Sequence, residues 1–300
     1  MNKERFAGLD IGSNTVLMLI VEKEDNGINI IRDEHSIARL GENVWKTNVI
    51  SDEAITRAEI VLEKYKNICE KEQAKQIFAN ATSAMRDAKN GKEVATRLSK
   101  KLGAEISIIP GDKEAELTYI GTIENEKPSV VIDIGGGSTE IIFGKNNKID
   151  FKQSINIGAV KLTDKFFPKH PPKENEIQDM RYFIRENLSV IPKINDDSLL
   201  YAVAGTPTTL AAVDIGLRDY QSKAINLHNL RLSNIKKMTN TFFNLSVQDI
   251  ISNYGIEPMR ADIITAGSII LEECLSYFHR DFCIVSVYGL RLGILKEHLK

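Results

Sequence analysis

The stretch Val130-Val-Ile-Asp-Ile-Gly-Gly-Gly-Ser-Thr-Glu-Ile-Ile-Phe-Gly144 constrains this chain more than any other. It reads as an apolar strand ending on Asp133, a glycine turn and a second apolar strand. Gly135, Gly136 and Gly137 in succession let backbone N–H groups approach an anion with no side chain in the way. Ser138 and Thr139 add hydroxyl donors, and Asp133 and Glu140 set carboxylates at the mouth of the turn. Such a set suits a phosphate that carries a divalent cation. The pattern occurs again in Ala7-Gly-Leu-Asp-Ile-Gly-Ser-Asn-Thr-Val-Leu-Met-Leu-Ile20, where Asp10 matches Asp133 and Gly12 matches Gly135. An ordinary tight turn needs neither a third glycine nor a second copy. Two copies, one opening each half, imply a duplicated, two-lobed protein with its ligand in the cleft between.

The rest of the chain alternates strands and helices, as an α/β protein does. Ile28 to Ile31 continues as strand, and Glu34 to Thr47 reads as an irregular loop carrying Arg39-Leu-Gly. Ser51-Asp-Glu-Ala opens a helix with an N-cap and early acids. A strand at Gln76 to Asn80, a short helix in Ala81-Thr-Ser-Ala-Met-Arg-Asp and a helix from Lys92 to Leu102 follow. A strand at Ile106 to Pro110 leads to a helix from Gly111 to about Gly121, capped by Asp112. The polar break at Glu124 to Pro128 divides the lobes: residues 1–123 plus about 290–300, and residues 124–289. In the second lobe strands are expected near Ser154 to Ile157, Leu199 to Ala204 and Phe282 to Val287. Helices are expected through Phe166, around Glu176 to Leu188, from Ser233 to Phe243, from Arg260 to Tyr277 and at the terminus.

Composition narrows the function classes. A net charge of −2 gives no basic field to recruit nucleic acid or an anionic membrane, so an anionic substrate must be held by local donors and metal. The three cysteines lack zinc spacing and fit a reduced, cytoplasmic setting. The start, Met-Asn-Lys-Glu-Arg, has no signal-peptide layout, and no apolar run is long enough for a bilayer. The five histidines form no ligand pattern, and Trp45 reads as packing.

From end to end the chain resembles the exopolyphosphatase / guanosine pentaphosphate phosphohydrolase (Ppx/GppA) family. The resemblance is carried by Leu9-Asp-Ile-Gly-Ser-Asn-Thr, Ala81-Thr-Ser-Ala-Met-Arg, Gly111-Asp-Lys-Glu-Ala, Ile132-Asp-Ile-Gly-Gly-Gly-Ser-Thr-Glu, Ile157-Gly-Ala-Val, Arg260-Ala-Asp and Gly289-Leu-Arg. Each is weak alone; their order and spacing together are specific. The resemblance implies the actin-like ATPase fold of sugar kinases, heat-shock chaperones and actin, with ribonuclease H-like lobes and a central cleft. It also implies hydrolysis of phosphoric anhydrides with Mg²⁺.

Hydrolysis of a phosphoanhydride needs a carboxylate to orient and deprotonate water. In the family motif that base is the glutamate before the alanine, here Glu114, at what reads as an exposed helix start. Outside the motif Glu114 would be taken for a solvated N-terminal acid. Lys113 stands where the family usually has another glutamate, which places a cation beside the base. Asp133 and Glu140 resemble the family's metal carboxylates, with Asp10 facing them from the other lobe. Ser13 and Asn14 are expected to donate to phosphate from the first lobe, and the Gly135 to Thr139 turn from the second. Arg86 corresponds to a family arginine that binds substrate phosphates. Gly205-Thr-Pro-Thr-Thr stands where related ATPases bind adenosine; a turn with N-capping threonines explains it equally well.

The function implied is an exopolyphosphatase releasing terminal phosphate from inorganic polyphosphate. The alternatives are a guanosine pentaphosphate phosphohydrolase and a weakly catalytic guanosine-polyphosphate or nucleotide sensor. Retention of Glu114 disfavours the sensor. The chain ends one helix after Gly289-Leu-Arg, so its grip is expected from the cleft alone, with release between cuts. A homodimer stays open.

Overall fold

The computed structural model describes residues 4–24, 27–146, 148–194 and 198–299. The readings of the chain's start and end fall partly on Met1 to Lys3 and Lys300, outside the described residues. In order the chain forms β1 (Arg5–Ile11), β2 (Thr15–Glu24), β3 (Gly27–Ile37), α1 (Val44–Thr47), α2 (Asp52–Lys71), β4 (Ala74–Ala81), α3 (Ser83–Asp87), α4 (Gly91–Leu102), β5 (Ile106–Ile108) and α5 (Gly111–Thr122). Then come β6 (Ser129–Ile134), β7 (Thr139–Lys145), β8 (Lys148–Ile155), α6 (Ala159–Phe166), α7 (Glu174–Leu188), β9 (Leu199–Val203) and α8 (Gly205–Asp214). The remainder is α9 (Ser222–Ile225), β10 (Asn229–Arg231), α10 (Leu232–Phe242), α11 (Val247–Tyr254), α12 (Pro258–Ala261), α13 (Ile264–Tyr277), β11 (Phe282–Val285) and α14 (Leu290–His298). Two compact units result: Met1–Gly121 with Gly289–Lys300, and Thr122–Tyr288.

The first unit holds a five-stranded sheet, β3-β2-β1-β4-β5. β1, β2 and β3 form an antiparallel meander, and β4 and β5 add in parallel to β1. Strand alternation sorts β1 onto two faces. Ala7, Leu9 and Ile11 enter a core with Ala58, Leu62 and Tyr65 of α2 and Leu98 of α4. Gly8 faces the opposite way, against Arg291 and Leu295 of α14. Asp10 shares the face of Gly8, the side on which Leu117 of α5 packs with Leu290 and Ile294 of α14. Ser51 caps α2, accepting from the Ala54 N–H at 3.3 Å.

In the second unit the order β8-β7-β6-β9-β11 repeats that plan, sense by sense, and β10 adds antiparallel to β11. Val130, Ile132 and Ile134 of β6 enter the large core, built around the almost wholly buried α13. Arg181 and Arg185 of α7 grip Glu272 and Glu273 of α13, which compensates the charges buried there. The repeated strand order is that of the ribonuclease H-like half, and two such halves in one chain make the actin-like ATPase fold.

Several local expectations change. β3 runs on to Ile37, and α1 occupies the end of the expected loop. The polar run from Glu34 reads as loop, yet the charges along this part of β3 are met by neighbours: Lys64 and Arg32 reach Glu34, and Arg291 reaches the adjoining Asp33. The strand expected at Ser154 to Ile157 lies earlier, at β8, and the long helix from Arg260 divides into α12 and α13. α9, β10 and α11 are short elements that periodicity does not reveal. Trp45 is exposed rather than packed.

Candidate active site

The two hairpins share one turn geometry. The Gly12 N–H donates to Thr15 O at 3.0 Å, and the Gly135 N–H donates to Ser138 O at 3.0 Å. Each turn is clamped from behind by the segment that follows the third strand of its sheet. In the first unit Ala38 and Arg39 donate to Asn14 O at 3.0 and 2.9 Å, and Gly41 donates to Ser13 O at 2.7 Å. In the second, Ala159 donates to Gly135 O at 2.9 Å and Lys161 to Gly136 O at 3.0 Å. A trans peptide points its C=O and the next N–H in opposite directions. Drawing these carbonyls back therefore turns the N–H groups of Asn14 and Thr15, and of Gly136 and Gly137, away from the clamp. Outward-facing successive N–H groups of this kind receive anions.

The second-unit hairpin carries the carboxylates. Asp133 and Glu140 are direct partners across the β6–β7 ladder, so their side chains share one face. Glu140 is 1% exposed and accepts from Ser154 Oγ at 2.6 Å. Ser154 went unmarked in the sequence, because only the β7–β8 register sets it opposite Glu140. Ser138 is buried at the turn. The Thr139 hydroxyl is fully buried and donates to Ile157 O at 2.7 Å, which corrects its expected role as a phosphate donor. Its proton is committed to holding β7 against the segment ahead of α6.

In the first unit α3 links the expected residues. Ser13 is buried, and its hydroxyl meets Ser83 Oγ at 2.8 Å at the start of α3. One turn on, Arg86 Nη1 donates to Glu114 Oε2 at 2.8 Å and to Ile109 O at 3.1 Å. Glu114 is 7% exposed, so the expectation of an exposed helix start gives way to a buried carboxylate with a guanidinium partner. Asp112 lies within the first turn of α5 and is exposed; Pro110 O takes the Lys113 and Glu114 N–H groups at 3.0 Å. Lys113 turns toward α14 and donates to Glu297. Asn14 is 6% exposed, and its Oδ1 meets no hydrogen-bond donor among the described residues.

The donor chemistry fits a divalent cation. Two carboxylates opposed in one ladder repel, and an oxygen-seeking ion relieves that repulsion. A buried amide oxygen such as that of Asn14 is likewise an acceptor suited to a cation or its water. Among the described residues, no three His, Cys, Asp or Glu side chains form a ready cage. Elsewhere, Thr208 Oγ1 donates to Ala204 O at 2.9 Å and does not cap α8, while the Arg260 guanidinium packs on Gly205. His228 Nε2 lies 2.7 Å from Asp214 Oδ2.

A duplicated ribonuclease H-like fold with paired, alike glycine turns and a buried, arginine-held glutamate is the setting of a class that works on phosphate. A sequence profile of the Ppx/GppA phosphatase family matches residues 19–300, and the chain belongs to that family. It is a hydrolase acting on phosphoric anhydrides. The chain is 36% identical to the bifunctional 3-dehydroquinate synthase/phosphatase of Fusobacterium nucleatum, over 97% of this chain but only 46% of that protein. It thus spans less than half of that relative. It is 31% identical to exopolyphosphatase 2 of Mycobacterium tuberculosis, over 90% of this chain and 89% of that one. The solved structure of the Aquifex aeolicus family member matches with a TM-score of 0.82 at 32% identity, covering 99% of this chain and 97% of that chain. No helix among the described residues is long and apolar enough to cross a membrane.

The clamp behind the triple-glycine turn gives a direct test. A Cβ on Gly158 would stand 2.5 Å from main-chain atoms of Gly136 and Gly137. Gly158→Ala should therefore push the turn forward and raise KM for the phosphate substrate by about tenfold, the scale of a lost 1.4 kcal/mol. Steady-state kinetics on folded protein checks this; an unchanged KM would mean that the clamp does not set the turn.

Proposed function

We propose that this protein is an exopolyphosphatase that removes terminal phosphate from inorganic polyphosphate with Mg²⁺. The observation that carries the reading is Glu114, buried in the first turn of α5 and held by Arg86. A carboxylate fixed in this way is suited to orient a water and accept its proton. The likeness to exopolyphosphatase 2 of Mycobacterium tuberculosis over nearly the full length of both chains supports the substrate class.

In this reading the residues divide the work. Arg86 holds Glu114 and offers its guanidinium to a substrate phosphate. Each unit offers its own donors to phosphate oxygens: the N–H groups of Asn14 and Thr15 in the first, and those of Gly136 and Gly137 with the Ser138 hydroxyl in the second. Glu114 takes the proton of the attacking water, and the bridging oxygen leaves with the shortened chain. In the second unit Asp133 and Glu140 would hold Mg²⁺, which supplies neutralisation of phosphate charge when bound; Asp10 is the matching carboxylate of the first unit. Guanosine pentaphosphate carries the same terminal anhydride and is the alternative substrate.

Glu114→Gln should lower turnover by about 10²–10⁴-fold while the protein still binds substrate. Phosphate release is to be measured on polyphosphates of graded length and on guanosine pentaphosphate. Wild-type turnover in the folded variant would remove Glu114 from the mechanism. A preference for guanosine pentaphosphate would overturn the substrate assignment alone.

Asp133→Asn removes one of two opposed carboxylates. Without divalent ion its thermal midpoint should equal or exceed that of the parent, because repulsion is relieved. The rise in midpoint that Mg²⁺ gives the parent should shrink in the variant. An undiminished Mg²⁺-induced rise would show that Asp133 holds no metal.

A further inference from the structure

We propose that Lys113 is a positioning residue for the reaction: paired with Glu297, it fixes the first turn of α5 and so sets where the Glu114 carboxylate stands. This inference rests on the reading of Glu114 as the base.

α5 and α14 lie side by side and are joined at three levels, each four residues from the next. At the far end a Cβ on Gly121 would overlap the Gly289 carbonyl oxygen. In the middle a Cβ on Gly293 would overlap that of Leu117. At the near end Lys113 Nζ donates to Glu297 Oε1. Residues 113, 117 and 121 thus face 297, 293 and 289 in antiparallel sequence. Successive i, i+4 positions form one row along a helix, so these contacts make a single seam.

The two glycine levels are backbone against backbone, where neither helix can slide without collision. The first turn, which carries Glu114, is tied instead through side chains. Lys113 and Glu114 are neighbours that reach in different directions, one to Glu297 and the other to Arg86. Lys113 is also 3.3 Å from Glu116, so a single cation stands between two carboxylates. Partial burial opposes its charge, but the bonds to Glu297 and Glu116 outweigh this and raise its pKa above the ordinary lysine value. An exposed ion pair is worth little as stability, on the order of 0–1 kcal/mol. Its larger effect is geometric, because a small misplacement of a catalytic group lowers rate steeply.

The test is a charge swap. Lys113→Glu gathers three carboxylates at one end of the seam and should lower kcat about tenfold or more, with KM within about twofold of the parent, since misplacing the base spares binding. Glu297→Lys should act in the same direction. Joining them in Lys113→Glu/Glu297→Lys should restore kcat to within about threefold of the parent, the mark of direct coupling. The swap also serves if either single variant fails to fold. A folded Lys113→Glu with parental kcat, or a folded swap that is not rescued, overturns this inference and leaves Glu114 in place. Parental turnover in Glu114→Gln overturns the reading beneath it.

Discussion

A carboxylate in a protein interior is costly unless a counter-charge meets it, and in this protein Arg86 meets Glu114 at 2.8 Å. Breaking such a pair leaves a buried charge uncompensated, at a cost of about 3–5 kcal/mol. Much of the first unit serves this one contact. The Ser13–Ser83 hydroxyl bond places the start of α3 against the first hairpin, and Arg86 leaves the same short helix. Ile109 O steadies the guanidinium from the strand side. The α5–α14 seam sets the helix from which Glu114 projects. A mobile carboxylate at a solvated helix end would need none of this support.

In a protein with a net charge of −2 an anionic group has to be met by local donors, and the duplicated turn offers them. Peptide dipoles supply the local field. Both turns draw their carbonyls back by the same device, although the clamping segments differ: a loop at residues 38–41 in one unit and the start of α6 in the other. After that common geometry the units specialise. The position of Glu140 in the second hairpin is taken by Leu17 in the first, each directly across the ladder from its aspartate. One turn therefore pairs two carboxylates, while the other is tied through Ser13 and Ser83 to the helix that carries Arg86. This division follows from register, and it gives the two halves different side chains within one duplicated frame.

Much of the fold was legible because its signals are local. The hairpins announce themselves through apolar runs broken by Asp-Ile-Gly, and Ser51 opens α2 as its N-cap. The start of α5 follows from Gly111, directly after the strand expected to end at Pro110. What escaped depends on partners distant in sequence. Glu114 looks like a solvated acid until Arg86, 28 residues earlier, is placed against it. Ser154 acquires a role only from strand register, and Ser83 only from the meeting of α3 with the first turn. The charged half of β3 reads as loop because ion pairs from α2 and α14 are invisible along the chain. Lys113 reads as a cation beside Glu114, whereas its partner lies in the terminal helix.

The central claim is that Arg86 and Glu114 act as one unit, and a double-mutant cycle on turnover tests it most directly. Arg86→Met, Glu114→Gln and the double variant are to be compared at saturating Mg²⁺ and substrate. On the reading that Arg86 acts on turnover by holding Glu114, its phosphate contact being saturated under these conditions, the double variant should be no slower than Glu114→Gln alone, within about threefold. Losses that multiply, so that the double variant falls by the product of the single effects, would show that the two residues act independently and would contradict the account.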